Sequence, residues 1–325
     1  MTRRTIFWVG VVLAFSASIC RGEERLKKAS FIPLWSPQAQ FAGYYVAHEK
    51  GLYKNHGIDV TIIRGGYREP PAQFLKTGQA DFGLLWLSAG IRERSCGVPL
   101  VNLAQITQRS ALMLVAKKSS GIVTPRDLNG KTISCWEGDF EIQPKAFLKQ
   151  YNLKVTLVPQ AYTVNLFLRG GVDAISAMWY NEYHTILNSG INPEELTTFS
   201  YAQYGLNFPE DGIYAMENIV ARDPGLCRSF VQASLEGWAY AFDHEDEALD
   251  IVLKYMKEAG LPANKIHQKW MLEKIKELMM PGGGQGISGT LNRADYERVA
   301  SEMSKSGIIK KIPDFASFYK PALPQ

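Results

Sequence analysis

The chain has 325 residues, 46% of them hydrophobic, 21% charged and 11% aromatic. That is ordinary globular composition, which excludes a disordered chain, and at roughly 150 residues per domain the length suits two lobes that each bury a core without disulfide or metal staples. The formal net charge of +4, from 36 basic and 32 acidic residues, is too balanced for a dedicated nucleic-acid binder, and no Lys/Arg run is longer than two.

Residues 1–20 read as a secretory signal. Arg3 and Arg4 precede an apolar run over 6–17, with small residues at Ser16, Ala17 and Ser18. The run is shorter than the ~20 apolar residues of a spanning helix, so export to the periplasm or another extracytoplasmic space is expected. Cys20 raises lipid anchoring as an option, although Ile19 and Ala17 stand where a lipobox wants a small residue and Leu. Three cysteines follow, Cys96, Cys135 and Cys227. An odd number excludes a complete disulfide framework and leaves one pair or free thiols open. Neither these nor the five histidines show metal-ligand spacing, so no metal is expected.

The next elements alternate. A strand over 29–35 ends at Trp35, a helix over 40–50 stops at Gly51, and a β-branched strand covers 58–63. Residues 74–86 read FLKTGQADFGLLW and residues 167–179 read FLRGGVDAISAMW. In both, a helix end meets Gly, then Asp, then a short apolar strand closed by Trp. Between them lie strands over 101–105, 112–116, 131–136 (ending at Trp136) and 155–158, a turn or short helix over 125–129, and a helix over 162–168. A strand over 214–221 returns to the first lobe, and from Asp223 onward the pattern is helical. One apolar stripe there is Phe230, Leu235, Trp238, Ala241 and Phe242; another is Leu249, Val252, Leu253 and Met256. Two blocks sharing one order of elements predict two α/β lobes, each with a mostly parallel sheet. The first lobe is expected at 27–117 plus about 220–325 and the second at 118–219, with crossings near 116–121 and 219–223.

The formal GxGxxG at Gly284, Gly286 and Gly289 follows a helix rather than a strand, so it reads as a loop. No P-loop, HExxH or GxSxG occurs, and no catalytic residue or cofactor is indicated. More informative are Trp35, Trp86, Trp136 and Trp179, each placed where a strand stops. Ligands in open α/β sheets sit outside the carboxyl ends of strands. Facing lobes would therefore gather these rings around one cleft, where stacking on a planar ring contributes ~1–3 kcal/mol each. The competing reading is that each Trp caps its own lobe's core, and two of the four are expected in a ligand site. Polar residues accompany them: Ser36, Gln38 and Gln40 after Trp35; Gln105, Gln108 and Ser110 between two strands; Glu137 and Asp139 after Trp136; Tyr180, Asn181, Glu182 and Tyr183 after Trp179. With Tyr44 on the first helix, the candidate ligand-binding set is Trp35, Gln38, Gln40, Tyr44, Trp86, Gln105, Trp136, Glu137, Trp179, Tyr180, Asn181 and Glu182. Amides, hydroxyls and a carboxylate beside rings suit a neutral or weakly cationic heterocycle. A sulfonate or nitrate site wants a helix N-terminus and an Arg, an alternative that Arg64 and Arg109 leave open. Glu182 also has a bland reading, as a helix N-terminal Glu favoured by the helix dipole.

The segment WSPQAQFAGYYVAHEKGLYKNHGIDV at 35–60, with GQADFG at 78–83, PRDLNGK at 125–131 and GVDA at 171–174, resembles a known family over about residues 30–245. That family is the bacterial solute-binding proteins for thiamine-pyrimidine precursors, with riboflavin-binding and sulfonate-binding relatives. The resemblance implies a type II periplasmic-binding-protein fold, two α/β lobes with a ligand cleft between them. It further implies a monomeric, non-enzymatic carrier that delivers a small planar heterocycle to an ABC permease. A thiamine-precursor pyrimidine ranks first and a flavin second. Nucleic acid is not a partner, and the membrane is met only through the permease or a lipid anchor. A ligand-sensing module for a receptor would share this architecture. The family also holds fungal enzymes that make the thiamine pyrimidine from a histidine and pyridoxal phosphate. Their cofactor lysine and consumed histidine fall at Leu85 and Ala89 here, and their cysteine-rich iron segment is missing, which disfavours the synthase alternative.

Overall fold

The computed structural model describes residues 26–283 and 286–324. The signal segment, Cys20 and Gly284 lie outside the described residues.

Ten strands form two five-stranded sheets. The first holds β1 (Lys27–Ile32), β2 (Ile58–Ile62), β3 (Phe82–Trp86), β4 (Leu100–Gln105) and β10 (Asp211–Met216), in the order β2-β1-β3-β10-β4. The second holds β5 (Leu112–Lys117), β6 (Thr132–Cys135), β7 (Thr156–Pro159), β8 (Ala174–Met178) and β9 (Leu196–Ser200), in the order β7-β6-β8-β5-β9. In each sheet four strands run the same way and one, β10 or β5, runs against both neighbours. The expectation of two mostly parallel α/β lobes therefore holds.

The sequence repeat has a structural cause. Its Asp precedes the central strand in both lobes and clips the neighbouring strand. Asp81 Oδ2 accepts from the Ser30 amide at 2.9 Å and hydroxyl at 2.8 Å, and Asp173 Oδ2 accepts from the Thr132 amide at 2.8 Å. Gly51, at φ +70°, ends the helix Ala42–Glu49 where the sequence placed its stop. The helix Pro224–Asp243 opens on Asp223, whose side chain accepts from the Leu226 amide at 2.9 Å.

The crossings differ from expectation. β5 pairs with β8 and β9 (Leu112 opposite Met178, Met113 opposite Ser200), so 112–117 belongs to the second sheet. β10 pairs with β3 and β4, so the return strand begins at Asp211. The chain thus crosses at 106–111 and 201–210, not at 116–121 and 219–223. An apolar strand run says that it is buried, but not in which sheet. Two smaller differences follow local chemistry: β1 stops at Ile32, before Pro33, leaving Trp35 in a bend, and only Asn165–Leu168 of 162–168 is helical.

The first lobe's core continues into the C-terminal helices, while a smaller core around Val115, Phe167, Ile175 and Ile186 lies within the second lobe. Cys96, Cys135 and Cys227 are free thiols, the last two buried. No helix among the described residues is long and apolar enough to cross a membrane.

Candidate ligand-binding site

The carboxyl ends of β3, β6 and β8, with the bend after β1, face one another across a narrow slot of about 30 Å³. The first lobe lines it with Leu34, Trp35, Gln38, Gln40 and Trp86. The second contributes Trp136, Phe140, Met178, Tyr180, Asn181 and Glu182. A wider, open groove of about 970 Å³ lies beside the crossing segments, but its walls carry charges of both signs, including Arg109, Lys276, Glu273 and Glu277. The slot combines converging rings with a buried, unanswered indole N–H.

Eight of the sequence candidates meet in the slot: Trp35, Gln38, Gln40, Trp86, Trp136, Tyr180, Asn181 and Glu182. Three of the four tryptophans are there, rather than two. Four candidates stand elsewhere. Tyr44 is buried under the first helix, 4.8 Å from the Phe31 ring and 5.8 Å from Trp238. Gln105 Nε2 donates to the Thr107 and Glu210 carbonyls at 3.1 and 2.9 Å, pinning the two crossing segments together. Glu137 is exposed and meets the Tyr67 hydroxyl at 3.5 Å. Trp179 points away, because side chains alternate along β8 and Met178 takes the inward position. Lys274 Nζ stands 4.6 Å above the Trp179 ring, and Trp270 Nε1 donates to its carbonyl at 3.3 Å.

The slot is acidic. Glu182 is buried, with Oε2 accepting from the Met178 amide at 3.0 Å and Oε1 from Asn181 Nδ2 at 2.8 Å. Burial pushes its carboxyl up to about 7 against the lowering pull of the Met178 amide. Behind Gln40 and Trp86 lies Asp211, which sequence reading missed because it enters on the return strand with no local motif. Gln38 Nε2 donates to Gln40 Oε1 at 2.6 Å, and Gln40 Nε2 donates to Asp211 Oδ2 at 2.9 Å. Burial raises Asp211 to about 7, with Gln40 and the adjacent Trp86 indole acting in the lowering direction. The Trp86 indole N–H faces Asp211, whereas Trp136 Nε1 is buried with no hydrogen-bond partner among the described residues. Among the described residues no Lys or Arg lines the slot: Arg64 is exposed, and Arg109 lines the groove instead. Acceptor oxygens without a cation, the Trp136 indole N–H and flat rings suit a planar ligand rich in N–H groups and oppose an anion.

Contacts across the lobes frame the slot. Tyr162 Oη accepts from the Tyr67 amide at 2.9 Å, and its ring lies 5.1 Å from that of Trp35. Asn181 Oδ1 meets His267 Nε2 at 2.8 Å, and His267 Nδ1 meets His184 Nδ1 at 2.8 Å. These contacts join the start of the helix Glu182–Asn188 to the helix Lys265–Met279. Because Asn181 Oδ1 accepts from His267 Nε2, the Nδ1 of His267 is free to accept from His184 only while the His267 ring is neutral. Burial, then His184, depresses His267 to about 4, and burial lowers His184. A His whose folded pKa lies below the unfolded ~6.5 contributes fully above that value, and its contribution fades as pH falls toward 4. The melting temperature should therefore drop between pH 6.5 and 4 more steeply in the native protein than in His267→Gln. Parallel melting curves across that range would contradict the contact's role.

A family model described as NMT1/THI5 like matches residues 38–248. The chain belongs to the NMT1/THI5-like family. Among its relatives, the formylaminopyrimidine-binding protein of Halalkalibacterium halodurans is 24% identical over 275 residues, covering 81% of this chain and 82% of that one. The riboflavin-binding protein RibY of Chloroflexus aurantiacus is 26% identical over 260 residues, covering 77% and 72%. The yeast (Saccharomyces cerevisiae) 4-amino-5-hydroxymethyl-2-methylpyrimidine phosphate synthase THI11 is 26% identical over 138 residues, only 42% of this chain and 39% of its own. Among solved structures, the periplasmic aliphatic sulphonate binding protein SsuA of Escherichia coli superposes with a TM-score of 0.70 at 16% identity, covering 91% and 92%. This NMT1/THI5-like chain therefore has the type II periplasmic-binding-protein fold.

Proposed function

We propose that the protein is an exported solute-binding component of an ABC importer that takes up a small planar heterocycle, an aminopyrimidine of the thiamine-precursor type first and a flavin second. The observation that carries this reading is the interlobe slot itself: three indoles, the buried Glu182 carboxylate with Asp211 behind Gln40, amide side chains and no basic residue among the described residues that line it. An amino group and ring nitrogens of a pyrimidine offer donors to Glu182 and Asn181 and an acceptor to the Trp136 indole N–H. The relatives named for formylaminopyrimidine and riboflavin agree with that chemistry. The sulphonate-binding neighbour supports the fold alone, and an anion would meet the acidic slot unfavourably. Export rests on the pattern over 1–20. Ligand entry is a hinge motion at the crossings 106–111 and 201–210, with the closed lobes recognised by a permease. The synthase reading has less support, because Leu85 and Ala89 are both 1% exposed in the apolar core, with neither an amine nor an imidazole to offer.

Mass spectrometry of the protein isolated from cells under native conditions tests the reading. The expected result is one equivalent of a small aminopyrimidine or flavin released on denaturation, with the chain beginning near residues 17–22. A bound sulfonate, or a pyridoxal phosphate adduct, would overturn it.

A further inference from the structure

Phe140, which the sequence did not single out, stands at the centre of the slot. It sits on the turn Gly138–Glu141 that follows β6. Its ring is 4.8 Å from Trp86 at 87° and 5.5 Å from Trp35 at 89°, both first-lobe indoles, and 6.2 Å from Trp136 at 62°. All three are edge-to-face arrangements, the geometry aromatic quadrupoles favour. The backbone carrying the ring is anchored on both sides. Gly138 takes a left-handed φ of +73°, and Asp139 is held by Arg92 Nη2 at 2.5 Å from the helix Leu87–Ser95 of the opposite lobe. The Arg92–Asp139 ion pair ties this turn to the first lobe. The ring itself can tip about its two side-chain torsions. Trp86 and Trp136, 4% and 5% exposed, are fixed by their surroundings.

The free space beside Phe140 is about 30 Å³, a small part of the ~150 Å³ that an apolar cavity needs to accept benzene. In this arrangement of the lobes Phe140 fills the space between the indoles, so a ligand ring stacked there takes its room from Phe140. Tipping one phenyl ring aside admits one six-membered ring between the indoles. A fused three-ring system is larger than the space that one tipped phenyl ring vacates.

Resting on the heterocycle-binding reading above, we propose that Phe140 determines specificity at this site, admitting single-ring aminopyrimidines and excluding fused-ring flavins. Calorimetric titration of ligand-stripped protein with 4-amino-5-hydroxymethyl-2-methylpyrimidine and with riboflavin tests it in the native protein, Phe140→Ala and Phe140→Leu. The native protein should bind the pyrimidine at least tenfold more tightly than riboflavin. Phe140→Ala should shrink that preference at least tenfold, chiefly by gaining riboflavin affinity, with Phe140→Leu between them. A melting curve on each variant checks folding; should Phe140→Ala fail to fold, the milder Phe140→Leu carries the comparison. The proposal is overturned by a native protein that binds riboflavin as well as the pyrimidine, or by a preference unchanged within threefold in the folded variants. In either case the heterocycle-binding reading stands. A native protein that binds neither compound overturns both.

Discussion

Glu182→Gln weakens aminopyrimidine binding ten- to a hundredfold at pH 8, the roughly 1.5–3 kcal/mol of a hydrogen bond to a charged group. The pH matters because burial raises the Glu182 carboxyl to about 7. Above that value the native side chain is a carboxylate and the substitution removes a charge. Below it the native side chain is already neutral, so the two proteins should converge toward pH 6. The substitution also has a structural cost. Both Glu182 oxygens are engaged, by the Met178 amide and by Asn181 Nδ2, both donors. A glutamine NH₂ must face one of them, and an unmatched buried donor costs about 1–3 kcal/mol. The helix-terminal and ligand-facing readings of Glu182 are thus compatible: the same carboxylate closes the start of the helix Glu182–Asn188 and presents its charge to the slot. Affinity within threefold of native at pH 8, in variant protein still folded at the titration temperature, would remove Glu182 from the site. Gln38 and Asn181 would then be the remaining polar contacts.

Gly237→Ala should destabilise the protein by about 1–3 kcal/mol or more, the cost of overpacking a filled core. The helix Ala42–Glu49 crosses the helix Pro224–Asp243 at a pair of glycines. A Cβ on Gly237 would press into the Gly43 carbonyl oxygen and stand 2.7 Å from the Ala47 Cβ. Backbone obstructs it, so no rotamer change relieves the clash and the helices must part. Gly225→Ala, near the start of the same helix, meets only Asp223 Oδ1 at 3.3 Å and serves as control. Thermal unfolding should show a clear loss for Gly237→Ala and little change for Gly225→Ala; equal melting temperatures would refute the close crossing. The helix Ala42–Glu49 directly follows Gln38 and Gln40, so the displaced variant should also bind ligand less tightly.

Much of this architecture is legible in the sequence because it is local. Gly-x-Asp followed by an apolar strand and Trp marks β3 and β8, since the Asp clips a neighbour and the Gly ends a helix. Trp86 closes the first of these repeats, and Trp136 closes the strand-like run KTISCW at 131–136, so both are legible as strand ends. What was not legible depends on pairing at a distance. The run 112–117 looks like any buried strand, and only its ladder with β8 and β9 puts it in the second lobe. Asp211 stands behind the slot, holding Gln40, solely because β10 inserts between β3 and β4. Trp179 fails by one position in the side-chain alternation, and Gln105 looked like a ligand amide because its partners lie on the return crossing. Phe140 stands four residues after Trp136, a spacing that becomes meaningful only once the turn Gly138–Glu141 folds it back into the cleft.

The central claim is that the interlobe slot binds a planar, N–H-bearing heterocycle and rejects anions. Isothermal titration of ligand-stripped protein at pH 7.5 with an aminopyrimidine and with an alkanesulfonate tests it most directly, with tryptophan fluorescence recorded on the same samples. The account predicts saturable one-to-one binding of the pyrimidine with a change in indole emission, and no heat from the sulfonate. Saturable sulfonate binding with no response to the pyrimidine would contradict it.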